Sequence, residues 1–173
     1  MNQINISYFK SRIGEFIAGS FDGRLCLMDF RYRKMRQIID TRITRGLAAE
    51  FIVRTDDVVR EAEKELDEYL KGTRMDFEVP ILTVGTDFQK KVWDKLMRVP
   101  YGATATYGEL AAALEKGSSV RAVAGANAAN AIAVIIPCHR IIGKDGELIG
   151  YGGGLAVKKR LLNLEAENLP SNA

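Results

Sequence analysis

The chain has 173 residues, 47% of them hydrophobic and 27% charged, with a net charge of +3, two cysteines and one histidine. Those proportions describe an ordinary soluble globular protein of one domain or two small ones. They exclude a disulfide scaffold and a zinc site, and no apolar stretch approaches the roughly 20 residues of a membrane helix. Met1–Lys10 lacks the apolar core of a signal peptide, so a cytoplasmic location and no membrane association are expected.

The first half alternates short apolar runs with breakers. Ile4–Phe9, Gly14–Ala18 and Leu25–Phe30 read as strands, with Phe21-Asp-Gly23 as a turn between two of them. The basic run Arg31-Tyr-Arg-Lys-Met-Arg36 reads as a solvated strand end or loop, ahead of a nucleic-acid arm. Val58, Val59, Ala62, Leu66, Tyr69 and Leu70 recur at helical spacing, predicting a helix over 57–71 capped by Thr55 or Asp56 and ended by Gly72. Cys26 belongs to a strand-like run and is expected in the core.

Charge divides the chain near Glu78-Val-Pro80. Residues 1–83 carry 14 basic and 14 acidic side chains, and residues 84–173 carry 11 and 8, so the second half holds the whole net charge. Two domains are expected, an α/β unit over 1–80 and a mostly helical unit over 81–173. In the second, Phe88, Val92, Trp93, Leu96 and Met97 define a helix over 87–97 with Thr86 as cap and Pro100-Tyr-Gly102 as stop. Thr106 and Glu109 form a capping box for a helix over 107–115, and Gly117 breaks it. Ser118 or Ser119 opens another over 120–127, and a last helix runs from Leu155 or Ala156 to Glu167. Two short helices around a glycine-containing turn suggest a helix-turn-helix. The 120–127 helix is clad in small side chains after Arg121, which suits close approach to a DNA backbone or packing on a neighbouring helix; both readings stand.

The most informative stretch is Asn130–Gly143. An apolar run read as a strand, Ile132–Ile136, stops at Pro137 and delivers Cys138 beside His139, the only histidine. A thiol becomes a strong nucleophile when a base takes its proton, and a base needs an orienter, for which Glu165 or Glu167 are local candidates. Adjacent side chains seldom point the same way, so a proton would pass through a water or across a tight turn.

Pro137-Cys-His-Arg140 preceded by Asn130 resembles the active-site signature of the O6-alkylguanine-DNA alkyltransferases. Pro100-Tyr-Gly102, Thr106–Leu110, Arg121-Ala-Val123, Gly150-Tyr151, Gly153–Lys158 and Leu161–Glu165 resemble family elements in the expected order. The resemblance implies an α+β protein with a ribonuclease-H-like first domain and a helical second domain containing a helix-turn-helix. It implies direct DNA repair, in which Cys138 takes the alkyl group from O6-alkylguanine, or O4-alkylthymine, once and keeps it. His139 would accept the thiol proton through a water, oriented by Glu165, and Asn130 would brace the turn. Lys158 and Tyr107 would neutralise charge on the leaving guanine. Arg121 would enter the base stack from the minor groove of double-stranded DNA, with Tyr107 pressing on the phosphate and Ala122, Gly125 and Ala126 lying along the groove. Tyr151, Gly152, Gly153 and Ile141 would line the pocket for the flipped base. No cofactor and no metal are implied, and a monomer is expected.

Ala131 and Ala133 stand where many relatives have proline, and Gly152 where many carry a side chain, which bears on the alkyl groups accepted and on guanine against thymine. A cysteine hydrolase would need an oxyanion hole and a freely shuttling histidine, which a neighbouring Cys-His pair does not suit. A non-catalytic damage sensor of this family would lack the cysteine.

Overall fold

The computed structural model describes residues 2–114 and 117–169. It divides into two compact units, Met1–Thr86 with Ala131–Ala133, and Asp87–Asn130 with Val134–Ala173. Among the described residues no helix is long and apolar enough to cross a membrane.

The first unit is built on four strands, β1 (Asn2–Ser11), β2 (Gly14–Phe21), β3 (Arg24–Phe30) and β4 (Ala49–Val53), in the order β3-β2-β1-β4. β1–β2 and β2–β3 are antiparallel, while β4 joins β1 in parallel with Ile4 opposite Phe51. The turn expected at Phe21-Asp-Gly23 is present: Asp22 and Gly23 both have positive φ, the two-residue geometry that matches strand twist. Helix α1 (Arg36–Leu47) leads to β4, and α2 (Asp57–Leu70) follows it. Asp56, not Thr55, caps α2: its carboxylate accepts from Val59 N–H at 2.9 Å, from Asn5 Nδ2 at 2.9 Å and from the Ser20 hydroxyl. Ile4, Ile6, Ile17, Cys26 and Leu27 meet Ile39 and Ile43 in one core cluster. Burial pushes the Cys26 thiol up to about 12, as befits a core residue.

The basic run is only partly solvated. Arg33 and Arg36 turn inward, at 3.2 and 2.9 Å, onto the buried carboxylate of Asp29, and Arg36 starts α1. An acid buried on β3 must be paired, so these two cations are structural. Arg31 instead lies over the rings of Tyr8 and Tyr32.

The Ile132–Ile136 strand is not formed. Ala131 C=O and Ala133 N–H bond to Met28 at 2.9 and 2.7 Å in the first unit. Val134 then takes a left-handed φ of 72°, rare for a β-branched residue, which breaks any extended run.

The second unit contains α3 (Asp87–Leu96), β5 (Ala105–Thr106), α4 (Tyr107–Ala112), α5 (Val120–Ala128), a 3₁₀ turn (Cys138–Arg140), β6 (Ile141–Ile142) and α6 (Leu155–Glu167). Val92, Trp93 and Leu96 of the α3 stripe are buried, whereas Phe88 is half-buried and Met97 exposed. Trp93 Nε1–H donates to Ala126 C=O at 2.9 Å, joining α3 to α5. α4 is shorter than its periodicity suggests, and Glu115 lies outside the described residues. Thr106 caps α4 through Glu109 N–H, and Ser119 caps α5 through Ala122 N–H, each at 3.0 Å.

Candidate active site

A two-rung parallel pairing organises the site. Ala105 lies opposite Ile141 and Thr106 opposite Ile142. β5 runs straight into Tyr107, the first residue of α4, and β6 is entered straight from the 3₁₀ turn that carries Cys138.

Cys138 is 8% exposed. Its turn is closed by Cys138 N–H to Ile136 C=O at 2.8 Å and Arg140 N–H to Pro137 C=O at 3.0 Å. Asn130 braces it from beyond the end of α5: Nδ2 donates to Ile136 C=O at 2.9 Å and reaches Cys138 Sγ at 3.3 Å. The amide thus holds the backbone and touches the sulfur it presents.

With three residues per turn, successive side chains of a 3₁₀ turn diverge by a third of a revolution. His139 accordingly points into the unit, 0% exposed, with Nε2 at 2.8 Å from Glu165 Oε2 on α6. Glu165, 1% exposed, has its negative charge met on several sides. Arg140 approaches it with Nε to Oε1 at 2.8 Å and Nη2 to Oε2 at 2.9 Å, and Gly102 N–H donates to Oε1 at 3.0 Å. Arg140 Nη1 donates to Val99 C=O at 2.7 Å. Desolvation pulls the His139 pKa below the ordinary imidazole value; Glu165 opposes this, and Arg140 and Lys158 add to it. The ring is held neutral, oriented and able to accept a proton. Glu167 is exposed, so of the two candidate orienters Glu165 is the one in place.

Lys158 and Tyr107 converge on one segment. Lys158, 0% exposed, donates from Nζ to Ile149 C=O at 3.2 Å and Gly150 C=O at 3.3 Å, and the Tyr107 hydroxyl donates to Ile149 C=O at 3.1 Å. Burial lowers the Lys158 pKa while the charge of Cys138 raises it; burial and then that same charge raise the Tyr107 pKa. Both groups therefore feel the sulfur. Tyr151, Gly152 and Gly153 are half-buried, with the Tyr151 ring edge-on to His139 at 6.4 Å. Ile141 is buried in β6.

Along α5, Arg121, Ala122 and Gly125 are exposed. Ala126 is a correction to the expected outer face: it is 4% exposed and turned inward, its carbonyl taken by Trp93. Two residues that sequence reasoning passed over join the site. Arg140 was visible only as part of a tetrapeptide, although its guanidinium pairs with the carboxylate that holds the histidine. Asn127, the lone polar side chain in the alanine run, is buried on α5 and lies near enough to the Tyr107 hydroxyl to oppose the rise in its pKa. Among the described residues no cluster of three His, Cys, Asp or Glu could hold a metal ion.

A shielded thiol, a neutral histidine held by a carboxylate–guanidinium pair, and a lysine and a tyrosine in the field of the sulfur thus gather around one cysteine. Residues 87–167 match the model of the 6-O-methylguanine DNA methyltransferase DNA-binding domain. The chain is 46% identical over 158 residues to a methylated-DNA--protein-cysteine methyltransferase of Methanosarcina acetivorans, covering 91% of this chain and 95% of that one. Its fold is similar to the Mycobacterium tuberculosis O6-methylguanine methyltransferase, with TM-score 0.80, 33% identity and coverage of 97% and 96%. It is also similar to the OGT of that organism in complex with DNA, with TM-score 0.78, 32% identity and coverage of 98% and 96%. The chain belongs to the methylated-DNA--protein-cysteine methyltransferase family.

Proposed function

We propose that this protein repairs alkylated DNA by moving the alkyl group from O6-alkylguanine to Cys138, one group per molecule. The observation that carries the reading is the arrangement around the sulfur: Asn130 on Sγ, with Tyr107 and Lys158 in its field. Family membership supports the same chemistry.

In the step itself, His139 accepts the thiol proton through a water while Glu165 and Arg140 hold the ring. The thiolate attacks the alkyl carbon, the S–C bond forms as the C–O6 bond breaks, and the electron pair leaves with guanine. Lys158 and the Tyr107 hydroxyl stabilise that anion, which takes one proton from water. The thioether has no route back to thiol, so the protein is consumed. O4-alkylthymine is a second substrate of the same pocket.

Chemistry on a base atom inside a duplex requires the nucleotide to leave the stack. α4 and α5 serve as a helix-turn-helix on the minor groove of double-stranded DNA. Arg121 fills the gap, Tyr107 presses on the phosphate, and Ala122 and Gly125 lie close to the backbone. Tyr151, Gly152, Gly153 and the backbone at Ile141 wall the base. The first unit is a ribonuclease-H-like domain, the two domains meet near residue 80, and the protein acts as a cytoplasmic monomer without cofactor or metal.

The test is an intact mass after mixing with a duplex holding one O6-methylguanine. One methyl group per chain, on the peptide containing Cys138, is expected together with restored guanine. Transfer by Cys138→Ala would overturn the mechanism, whereas that variant should still bind DNA. Arg121→Ala should slow repair of duplex far more than reaction with the free alkylated base, and binding should weaken as salt rises.

A further inference from the structure

We infer that Gly102 is a positioning residue for alkyl transfer: its backbone N–H, delivered by a turn with no room for a side chain, locks the Glu165 carboxylate against His139. This rests on the reading that His139 accepts the thiol proton.

Pro100-Tyr-Gly102 is more than the stop of α3. Ala103 N–H bonds back to Pro100 C=O at 3.0 Å, and Gly102, the third residue of that turn, has a φ of 80°. Positive φ at that place defines a type II turn, which glycine adopts without strain. Type I and type II turns differ by a flip of the peptide between the two central residues. In type I the Tyr101 carbonyl would face the way the Gly102 N–H faces here, and it would repel a carboxylate. The turn type thus decides whether Glu165 meets a donor.

That donor completes a set. An ionised carboxylate has about four acceptor sites. Gly102 N–H and Arg140 Nε take Oε1 at 3.0 and 2.8 Å, while His139 Nε2 and Arg140 Nη2 take Oε2 at 2.8 and 2.9 Å. Arg140 forks across both oxygens, and Gly102 and His139 take the remaining site of each. By holding Oε1, Gly102 opposes any swing that carries Oε2 away from the ring. The same turn holds Arg140, whose Nη1 donates to Val99 C=O at 2.7 Å and whose guanidinium lies 5.6 Å from the centre of the Tyr101 ring. Residues beyond α6 hold the turn itself. Asn168 Nδ2 donates to the Tyr101 hydroxyl at 3.3 Å, and a Cβ on Gly102 would fall 2.6 Å from the Leu169 side chain. Any side chain at this position therefore meets both a disfavoured backbone and an occupied space.

Single-turnover transfer from O6-methylguanine in duplex DNA, followed between about pH 5.5 and 8.5, tests this. Gly102→Ala should lower the plateau rate about tenfold, the effect of one hydrogen bond to a charged group, with DNA affinity little changed. Its rate should also begin to fall at a pH higher by about half a unit or more, because the ring then faces a less neutralised carboxylate. Arg140, Lys158 and Tyr151, the other charged or titratable groups at the ring, are unchanged in that variant. Leu169→Ala alone should stay within about twofold of wild type. Gly102→Ala/Leu169→Ala clears the space but not the disfavoured φ, so it should fold where the single variant fails and still show the shifted profile. In a Glu165→Gln background the Gly102 change should cost no further rate. An unshifted pH profile in both Gly102 variants, or losses that multiply with Glu165→Gln, would overturn the inference. A wild-type rate for Glu165→Gln itself would instead overturn the role of the His139–Glu165 pair.

Discussion

Arg140→Met removes the guanidinium paired with Glu165 and leaves a buried carboxylate that keeps the Gly102 N–H and His139. Breaking a buried pair by removing one partner costs about 3–5 kcal/mol. Here the cost depends on pH, because His139 can take a proton and supply the missing positive charge. In the wild type the His139 pKa is depressed, so on acidification below about 6.5 the unfolded chain takes the proton first and stability falls. In the variant Arg140 no longer opposes protonation, only Lys158 and burial do, and the unneutralised Glu165 raises the His139 pKa. A raised pKa contributes stability that is present below about 6.5 and lost as pH rises through the folded value. The deficit should therefore be largest near pH 8 and shrink toward pH 6, with a slope difference of up to about 1.4 kcal/mol per pH unit for one proton. Urea unfolding of the whole chain, followed by fluorescence of Trp93, measures it; Trp93 is the only tryptophan and lies in the unit that holds the site. Parallel stability curves for the two proteins between pH 6 and 8 would refute the reasoning.

Asp56→Ala should cost about 1–2 kcal/mol of stability through loss of the α2 cap and leave the rate of methyl transfer unchanged, measured by denaturation and single-turnover kinetics. Glu65→Ala should cost about 1–3 kcal/mol, since Glu65 Oε1 accepts the N–H groups of Glu78 and Val79 at 2.7 and 3.2 Å, and Glu65→Gln should recover most of it. Cys26, buried with its thiol pushed up to about 12, should resist iodoacetamide in the native protein at pH 8 and react only after unfolding, as read by peptide mass.

The sequence made its strongest elements legible where period and cap agreed. α2 has five buried positions at helical spacing and an Asp at its cap, and α5 has Ser119 where the alanine run begins. α1 and β4 went unread because α1 buries only Ile39 and Ile43, one turn apart, among arginines, threonines and a glycine. Its register is set by the sheet and by Asp29, neither of which is local. The Ile132–Ile136 run misled for the opposite reason: apolar residues without alternation fit a strand as well as a buried irregular turn, and only the left-handed Val134 distinguishes them. At the site, the Pro137–Arg140 signature identified the cysteine and its histidine, and the resemblance named Glu165 as the orienter, but motif spacing is silent about the other partners. That Glu165 also meets Arg140 and the Gly102 N–H depends on where α6 runs.

The Ile149–Gly150 segment is fastened from within, by an ammonium that has no exposure to water. Swinging the segment aside would forfeit two hydrogen bonds to a charged group, about 1.5–3 kcal/mol each, so an opened form occurs in on the order of one molecule in a hundred to one in ten thousand. This segment therefore behaves as a fixed mould rather than a door. On the proposed mechanism a nucleobase would enter by fitting the shape already there, without any need for closure. Because the fastening is buried, added salt screens it little. Raising ionic strength should loosen the hold on DNA and leave the shape of the mould as it was.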